Sequence, residues 1–541
     1  MALSRLLRDA QPGRARCART PAHESARIRT RAHGPCVYKH AAYHTQVSTK
    51  GETPSASLET LLSLESRADD PAATSTMPAL LVAWSRDQPE RMGEVFLVPP
   101  SEPRSPWIIG RGSENRAPGP ERLTLTRQRP GQNVPTGELL SPRLSRQQLR
   151  LVCDADGRLD VQNQGRRQLH IAGQPTSGGA VHPGDVLEVE NALLLYVIRR
   201  PALLPALTVP APIRRALVGH PFGAPDRHGM VGESPVAWAL RNTLAFAAAR
   251  RAHVLLLGAS GTGKELAAAA IHGDSERRAQ PFVARNAATL PDGLIDAELF
   301  GNTRNYPNPG MPERPGLIGA AERGTLFLDE IGELSSKTQA HLLRIMDNGD
   351  YQRLGESRQR RADIRMIAAT NRSASELKHD VLARFAIRIE LPDCNVRRED
   401  IPLLARHLGR TIAREDPGIA ERFFDGDEPR FGPALVSGLL RRDYKNHVRE
   451  LSYLLWQAMA TSRSSTIDRL PELPPTEPES PGIEASTAGM IDDGTVHPAS
   501  LTRTDIENAL REHHGVRERV WRALGLRNRF QLARLMKKYG L

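Results

Sequence analysis

Hydrophobic spacing changes several times along the chain. Residues 1–76 hold no sustained apolar period and are rich in Arg, Ala, Ser, Thr and Pro, so disorder is the simplest expectation. Met77, which opens the first patterned segment, is an alternative start, and an amphipathic targeting stretch is a weaker rival. From 77 to 200, short apolar runs alternate with turn residues: Pro78–Trp84, Glu94–Leu97, Trp107–Ile109, Gln148–Val152, Leu159–Gln162, Val186–Val189 and Leu193–Ile198. That rhythm predicts a β-sandwich. Residues 201–225 are Pro-rich and read as a linker. Over 226–396, strand-length apolar runs alternate with helical periods, which predicts an α/β domain with a parallel sheet. Residues 397–465 turn helical, at Ile401–Leu404, Ala434–Leu440 and Val448–Ala460, and read as a helical lid on that domain. Pro, Glu, Ser and Thr dominate 466–500, a tether. Three short helical patterns, Asp505–His513, Arg517–Leu524 and Arg529–Lys538, make 501–541 a small all-α module.

The most informative chemistry lies where one apolar run meets a helix. Val254–Leu257 leads into Gly258, Gly261 and Gly263, then Lys264, Glu265 and a helical period from Leu266. Glycines let backbone N–H groups close around phosphates, and the following helix turns its positive end toward them. Lys264 is placed to reach the β- and γ-phosphates. Glu265 stands where the generic pattern has Ser or Thr. A plain Gly-rich turn with a surface lysine is the bland alternative. About 65 residues later the run Gly324–Leu328 ends in Asp329 and Glu330, where one acid can hold Mg²⁺ and its neighbour can polarise a water. A further strand, Ile364–Ala369, ends at Thr370 and Asn371. Asn371 reads equally as a γ-phosphate sensor or as a helix cap.

Size and charge add limits. A chain of 541 residues divides into several domains. Lys and Arg (74) exceed Asp and Glu (62), which favours a polyanionic partner, and residues 501–541 alone carry ten basic and four acidic side chains. Four scattered cysteines give neither a disulfide framework nor a zinc pattern. Without a long apolar run or an apolar leader, the expectation is a soluble cytoplasmic protein with no membrane partner.

Two resemblances follow from these residues. Gly110-Arg111, Ser145-Arg146-Gln147-Gln148 and Gly184-Asp185 resemble the landmarks of a forkhead-associated (FHA) domain, which binds phosphothreonine peptides. The resemblance implies phosphate contacts from Arg111, Ser145 and Arg146. Gln148 stands where that family usually has His, and Arg167 falls where Asn would clasp the peptide, so a sandwich without a phosphopeptide is the alternative.

Gly232-Glu233-Ser234-Pro235, Gly258–Glu265, Asn286-Ala287-Ala288, Glu298–Gly301, Gly324–Glu330 and Val448–Leu451 resemble, in order, AAA+ activators of sigma-54 RNA polymerase. In that family Glu follows the lysine, as Glu265 does. The resemblance implies a P-loop ATPase using ATP and Mg²⁺. Gly258, Gly261, Gly263, Lys264 and Glu265 would form the phosphate site, Asp329 would support Mg²⁺, and Glu330 would orient the water. Asn286 would restrain Glu330, Asn371 would sense the γ-phosphate, and Arg449 would reach nucleotide from the lid. Arg384 would be an arginine finger acting across a homo-oligomeric ring, the second finger being replaced by Lys378. A surface salt bridge is the alternative for Arg384. The C-terminal module resembles a Fis-type helix-turn-helix, with Arg527, Asn528, Arg529, Gln531 and Arg534 on or beside its recognition helix, suited to guanine, adenine and phosphate contacts.

One departure bears on function. Where the family carries a Gly-Ala-Phe-Thr-Gly-Ala loop that touches sigma-54, this chain has Asn305-Tyr306-Pro307-Asn308-Pro309-Gly310, stiffened by two prolines. The leading expectation is a sigma-54-type regulator on an upstream DNA site, with a phosphothreonine protein as signal. A DNA-bound, non-activating scaffold is the second reading, favoured by the altered loop and Lys378. A remodelling AAA+ machine outside transcription is the third.

Overall fold

The computed structural model describes residues 76–471, apart from 102, 104, 113–119, 292, 374 and 375, together with 503–513 and Val520, Ala523, Leu524, Leu532, Leu535, Met536 and Tyr539. The expectation for 1–76 lies outside them except at Thr76. So do the expected recognition-helix residues Arg527, Asn528, Arg529, Gln531 and Arg534.

The sandwich is present. Strands Thr76–Ser85 and Leu193–Pro201 pair antiparallel along almost their whole lengths and form the middle of an eight-stranded sheet. A four-stranded sheet packs against it, with Trp107–Ile109 at one edge and Gly178–Val181 at the other. Alternation along Thr76–Ser85 explains the packing. Leu80 and Val82 enter the core between the sheets, while Ala79, Leu81 and Ala83 face the other way into a second core shared with the lid. The strand is therefore apolar on both faces, because both are covered.

The sheet of the α/β domain has five parallel strands in the order Phe282–Asn286, Thr325–Asp329, Arg365–Thr370, Val254–Leu257, Ile387–Glu390. Its inner strands are buried on both faces, hence the near-continuous apolar runs. Pro235–Ala248 precedes the sheet, capped by Ser234, whose hydroxyl accepts from Ala237 N at 3.0 Å. Lys264–Gly273 follows the central strand. The lid comprises helices Ile401–Glu415, Pro417–Phe423, Pro433–Arg441 and His447–Thr461. Of the C-terminal module, Arg503–Glu512 is helical, and Ile506, Val520, Leu532 and Leu535 share a small core.

The reading of 201–225 as a linker needs correction. Leu204, Leu207 and Val209 are buried, and the helix Ala211–Val218 adds Leu217 to a core completed by Trp238 and Ala245. Prolines masked a run of leucines that the helix Pro235–Ala248 covers.

Sandwich and α/β domain are joined through buried charges. Arg129 donates to both carboxylate oxygens of Glu233, at 3.1 and 2.5 Å, while Gly223 N and Trp238 Nε1 donate to the same carboxylate. Arg200 reaches Glu399 at 2.8 Å, and Trp84 Nε1 donates to Phe431 O at 2.7 Å. Asp400 accepts from Glu233 N, Ser234 N and Ser234 Oγ, tying the lid's first helix to the start of Pro235–Ala248.

Candidate functional site

Strand Val254–Leu257 delivers the chain to a loop that curls back. Gly258, Gly261 and Gly263 all have positive φ, and Gly263 is the N-cap of Lys264–Gly273. Gly261 is the most constrained, since a Cβ there would lie 2.4 Å from Asn446 O of the lid. Val448 N donates to Gly261 O at 3.2 Å, so lid and phosphate loop touch directly.

The cavity between them measures about 440 Å³, a size suited to a nucleotide. Gly261, Gly263, Lys264, Glu265, Asn286, Asp329, Glu330 and Arg449 line it, so the structure assembles eight of the expected site residues in one place. Lys264 is nearly buried and donates to Gly258 O at 2.9 Å and Ala259 O at 3.3 Å. These carbonyls hold the ammonium against the loop. Its Nζ lies 3.8 Å from Glu330 Oε1.

Asp329 closes its strand almost buried, and its Oδ1 accepts from Glu330 N at 3.0 Å. Glu330 has φ +53°, a left-handed conformation costly for a side-chain-bearing residue and typical of functional positions. Its Oε2 accepts from Asn371 N at 3.1 Å. Asn371 thus meets Glu330 through its backbone and is not among the cavity-lining residues. Nor is Gly258, which supplies a carbonyl to Lys264. Asn286 lines the cavity, with its amide oxygen accepting from Ala288 N at 2.9 Å. Arg449 Nη1 donates to Ser260 Oγ at 2.7 Å and bridges lid to loop. Arg384 sits away from this cavity on the protein surface, paired with Asp347 through two hydrogen bonds. Within one chain it is a salt bridge on the helix surface.

Sequence reasoning missed the apolar half of the cavity. Met230, Val231 and Leu240 come from the segment before the sheet, and Leu404, Leu408 and Val448 from the lid. They are ordinary helix-face or loop hydrophobics in sequence, and only their convergence makes a wall for a flat apolar group. His407 lines the same wall, its pKa lowered by burial and then by Arg414 and Arg410.

The second site is at the loop end of the sandwich. Arg111 N donates to Ser145 O, and Arg166 N to Ser145 Oγ at 3.1 Å. Gln148, buried, accepts from Ser145 N at 3.0 Å and donates to Asn163 Oδ1 at 2.8 Å. It braces these loops from beneath. Arg146 and Arg166 are exposed and Arg111 half-exposed, and none of their guanidinium groups has an acidic partner among the described residues.

The segment 302–314 forms a folded loop. Asn302 Nδ2 donates to Thr303 O, Tyr306 O and Pro312 O, and Asn305 Oδ1 accepts from Gly310 N. The Tyr306 ring lies over Gly355 of the following hairpin, whose added Cβ would meet it at 2.5 Å.

Residues 230–390 match the sigma-54 interaction domain. The chain is 36% identical over 249 residues to the Nif-specific regulatory protein of Bradyrhizobium diazoefficiens, spanning 45% of this chain and 41% of that one. It is 33% identical over 326 residues to the transcriptional regulatory protein ZraR of Salmonella typhimurium, covering 59% of this chain and 70% of ZraR. To the anaerobic nitric oxide reductase transcription regulator NorR of Aeromonas hydrophila it is 32% identical over 375 residues, covering 65% and 69%. Among solved structures, NtrX from Brucella abortus in complex with ADP aligns over 60% of this chain and 71% of its own, at 26% identity and a TM-score of 0.39. No helix among the described residues is long and apolar enough to cross a membrane. The sigma-54 interaction domain match over 230–390, together with ZraR, of which this chain covers 70%, places the chain in the family of sigma-54-dependent AAA+ transcriptional activators.

Proposed function

We propose that the protein is an ATP-hydrolysing transcriptional regulator of the sigma-54 class, working in the cytoplasm as a homo-oligomeric ring. The observation carrying this reading is the cavity that brings the phosphate loop, the Asp329–Glu330 strand tip and lid Arg449 together. ATP would place its base against Met230, Val231, Leu404 and Leu408 and its phosphates along 258–264. Lys264 would exchange its two carbonyl partners for β- and γ-oxygens. Asp329 would hold Mg²⁺, whose chemistry is to neutralise charge growing on the phosphates. The Glu330 carboxylate, held at the strand tip by Asn371 N, would accept a hydrogen bond from the attacking water and orient it in line with the γ-phosphorus, giving ADP and phosphate.

Arg384 would leave Asp347 on ring assembly and face a neighbour's nucleotide. The basic module at 501–541 would dock on promoter-upstream DNA. The sandwich loops at Arg111, Ser145 and Arg146 would grip a phosphothreonine, because a loop arginine and a hydroxyl make charge-assisted bonds to phosphate. The 305–310 loop would be the contact with sigma-54 polymerase.

ATP turnover by the full chain tests this reading, beside the Glu330→Gln and Arg384→Ala variants. Turnover that rises with protein concentration and is lost in both variants is expected. ATP binding without turnover in the parent would overturn the motor and leave a nucleotide-gated, DNA-bound scaffold.

A further inference from the structure

The arginine-rich end of the sandwich carries more positive charge than one phosphate needs. Arg111, Arg146 and Arg166 come from three loops that converge on Ser145, and none is bonded to a carboxylate among the described residues. A single phosphothreonine brings about two negative charges. The surplus fits a phosphorylated segment that is itself acidic.

The chain contains such a segment. Residues 472–500 carry six acidic residues (Glu472, Glu477, Glu479, Glu484, Asp492, Asp493) and no Lys or Arg. Within it, Thr476 is followed by Glu477 and Glu479. By contrast residues 1–75 hold eleven Lys and Arg against seven Asp and Glu, and 501–541 hold ten against four, so both are repelled by an arginine surface.

Thr476 is also the first threonine of the acidic segment after the lid. Ile467, at the root of the acidic segment, bridges to Phe431. Phe431 O accepts from Trp84 Nε1. Three residues beyond Trp84, Asp87 accepts from Ser141, and Gln88 accepts from Leu140 N at 2.7 Å. Ser141 begins the turn that leads to Ser145, its carbonyl accepting from Leu144 N. Three contacts and two short chain stretches thus connect the root to the arginine loops through the sandwich–lid junction. The nine steps from Ile467 to Thr476 span roughly 30 Å when extended.

We propose that Thr476, once phosphorylated, docks in the Arg111–Ser145–Arg146–Arg166 cluster of its own chain, with Glu477 and Glu479 held by the remaining guanidinium charge. This rests on reading the sandwich loops as a phosphothreonine site. The modification is ordinary phosphoryl transfer by a Ser/Thr protein kinase. The Thr476 hydroxyl oxygen bonds to the γ-phosphorus of ATP, the bond from that phosphorus to the bridging oxygen breaks, ADP leaves, and the hydroxyl proton goes to the kinase's base. Docking would shorten the chain available between the lid and the 501–541 module, making that module's reach dependent on a kinase. It would also occupy the site against outside phosphoproteins.

The test uses the full chain and a labelled peptide of residues 471–484 phosphorylated at Thr476, read by fluorescence anisotropy. The unphosphorylated chain should bind it, with at least ten-fold weaker binding by Arg146→Ala and Arg166→Glu, and by a peptide in which Glu477 and Glu479 are glutamine. A full chain made with phosphothreonine at position 476 should bind the labelled peptide at least ten-fold more weakly, since a tethered segment competes at millimolar effective concentration. Equal binding by the two chains overturns the docking while leaving the phosphothreonine reading in place. If neither this peptide nor a degenerate phosphothreonine library binds the unphosphorylated chain, both fall. The glutamine peptide does not depend on the folding of any variant, and undiminished binding by it would remove the acidic-segment argument.

Discussion

At the scale of single residues, buried charge is the feature with most consequence. Arg241 and Asp226 are both almost wholly buried, 2.8 Å apart, and the guanidinium also donates to Gly232 O and Met230 O. Cutting one member leaves an uncompensated buried charge, costing about 3–5 kcal/mol, whereas an exposed pair is worth about 0–1. Arg241→Ala should therefore lose several kcal/mol in urea unfolding, and Arg251→Ala, whose pair with Glu276 is exposed, almost none. Equal losses would refute this ranking. Gly261→Ala should act through sterics, because its Cβ meets Asn446 O and its φ is +84°. A nucleotide affinity lowered at least ten-fold, measured by calorimetry, is expected. His253 gives a pH dependence. Burial lowers its pKa, and its Nδ1 accepts from Met366 N at 3.0 Å, which needs the neutral ring. The folded state thus binds fewer protons than the unfolded state just below the ordinary histidine value. Stability must fall as pH drops from about 6.5 toward the folded pKa, by at most about 1.4 kcal/mol per pH unit for this site. His253→Gln should flatten that slope between pH 7.5 and 5.5, and an unchanged slope would assign it to other groups.

At the scale of elements, the segment 302–314 behaves as a rigid tip because one side chain, Asn302, supplies the amide that three carbonyls share. Asn302→Ala leaves those carbonyls without their partner, a cost of about 1–3 kcal/mol confined to the loop. Limited proteolysis should then cut within 303–313 while the global midpoint barely moves. Cutting no faster than in the parent would show that the prolines alone hold the loop. Gly355→Ala should expel Tyr306 from its seat with a similar result. Only part of this was legible in the sequence. Two prolines announce stiffness, but nothing near 305 points to Gly355, which lies 50 residues on. The same contrast runs through the molecule. The phosphate loop and the Asp329–Glu330 tip are legible because their chemistry is local, a strand end plus a turn. The cavity's apolar wall is not, because Met230, Leu404 and Val448 have meaning only after the lid folds over the sheet. The packed segment around helix Ala211–Val218 was hidden for a related reason: Leu204 and Leu207 sit among prolines ahead of it, and their partner Trp238 belongs to the next domain.

At the scale of the whole molecule, sandwich, lid and α/β sheet meet at one junction. Arg129 and Arg200 leave the sandwich from different strands. One ends on Glu233 beside the helix that precedes the α/β sheet, the other on Glu399 at the start of the lid. Asp400, next to Glu399, bonds back to Glu233 N and Ser234 Oγ. Any change in the angle between lid and sheet must therefore strain at least one of these bonds, and the sandwich feels it. Burial pushes the Glu399 carboxyl pKa upward and Arg200 opposes that push, so removing Arg200 leaves a buried acid that protonates or moves. Ligand that binds only the folded state stabilises it by about 2.7 kcal/mol at a hundred times Kd. Because the junction is shared, a non-hydrolysable ATP analogue should slow hydrogen exchange in the sandwich strand Leu193–Pro201 as well as in the lid. In a chain carrying both Arg129→Ala and Arg200→Ala the lid should keep that protection and the sandwich lose it, with unfolding resolving into two transitions. If the sandwich of the parent gains no protection from the analogue while the lid does, the junction is a passive seam that does not couple the nucleotide site to the sandwich.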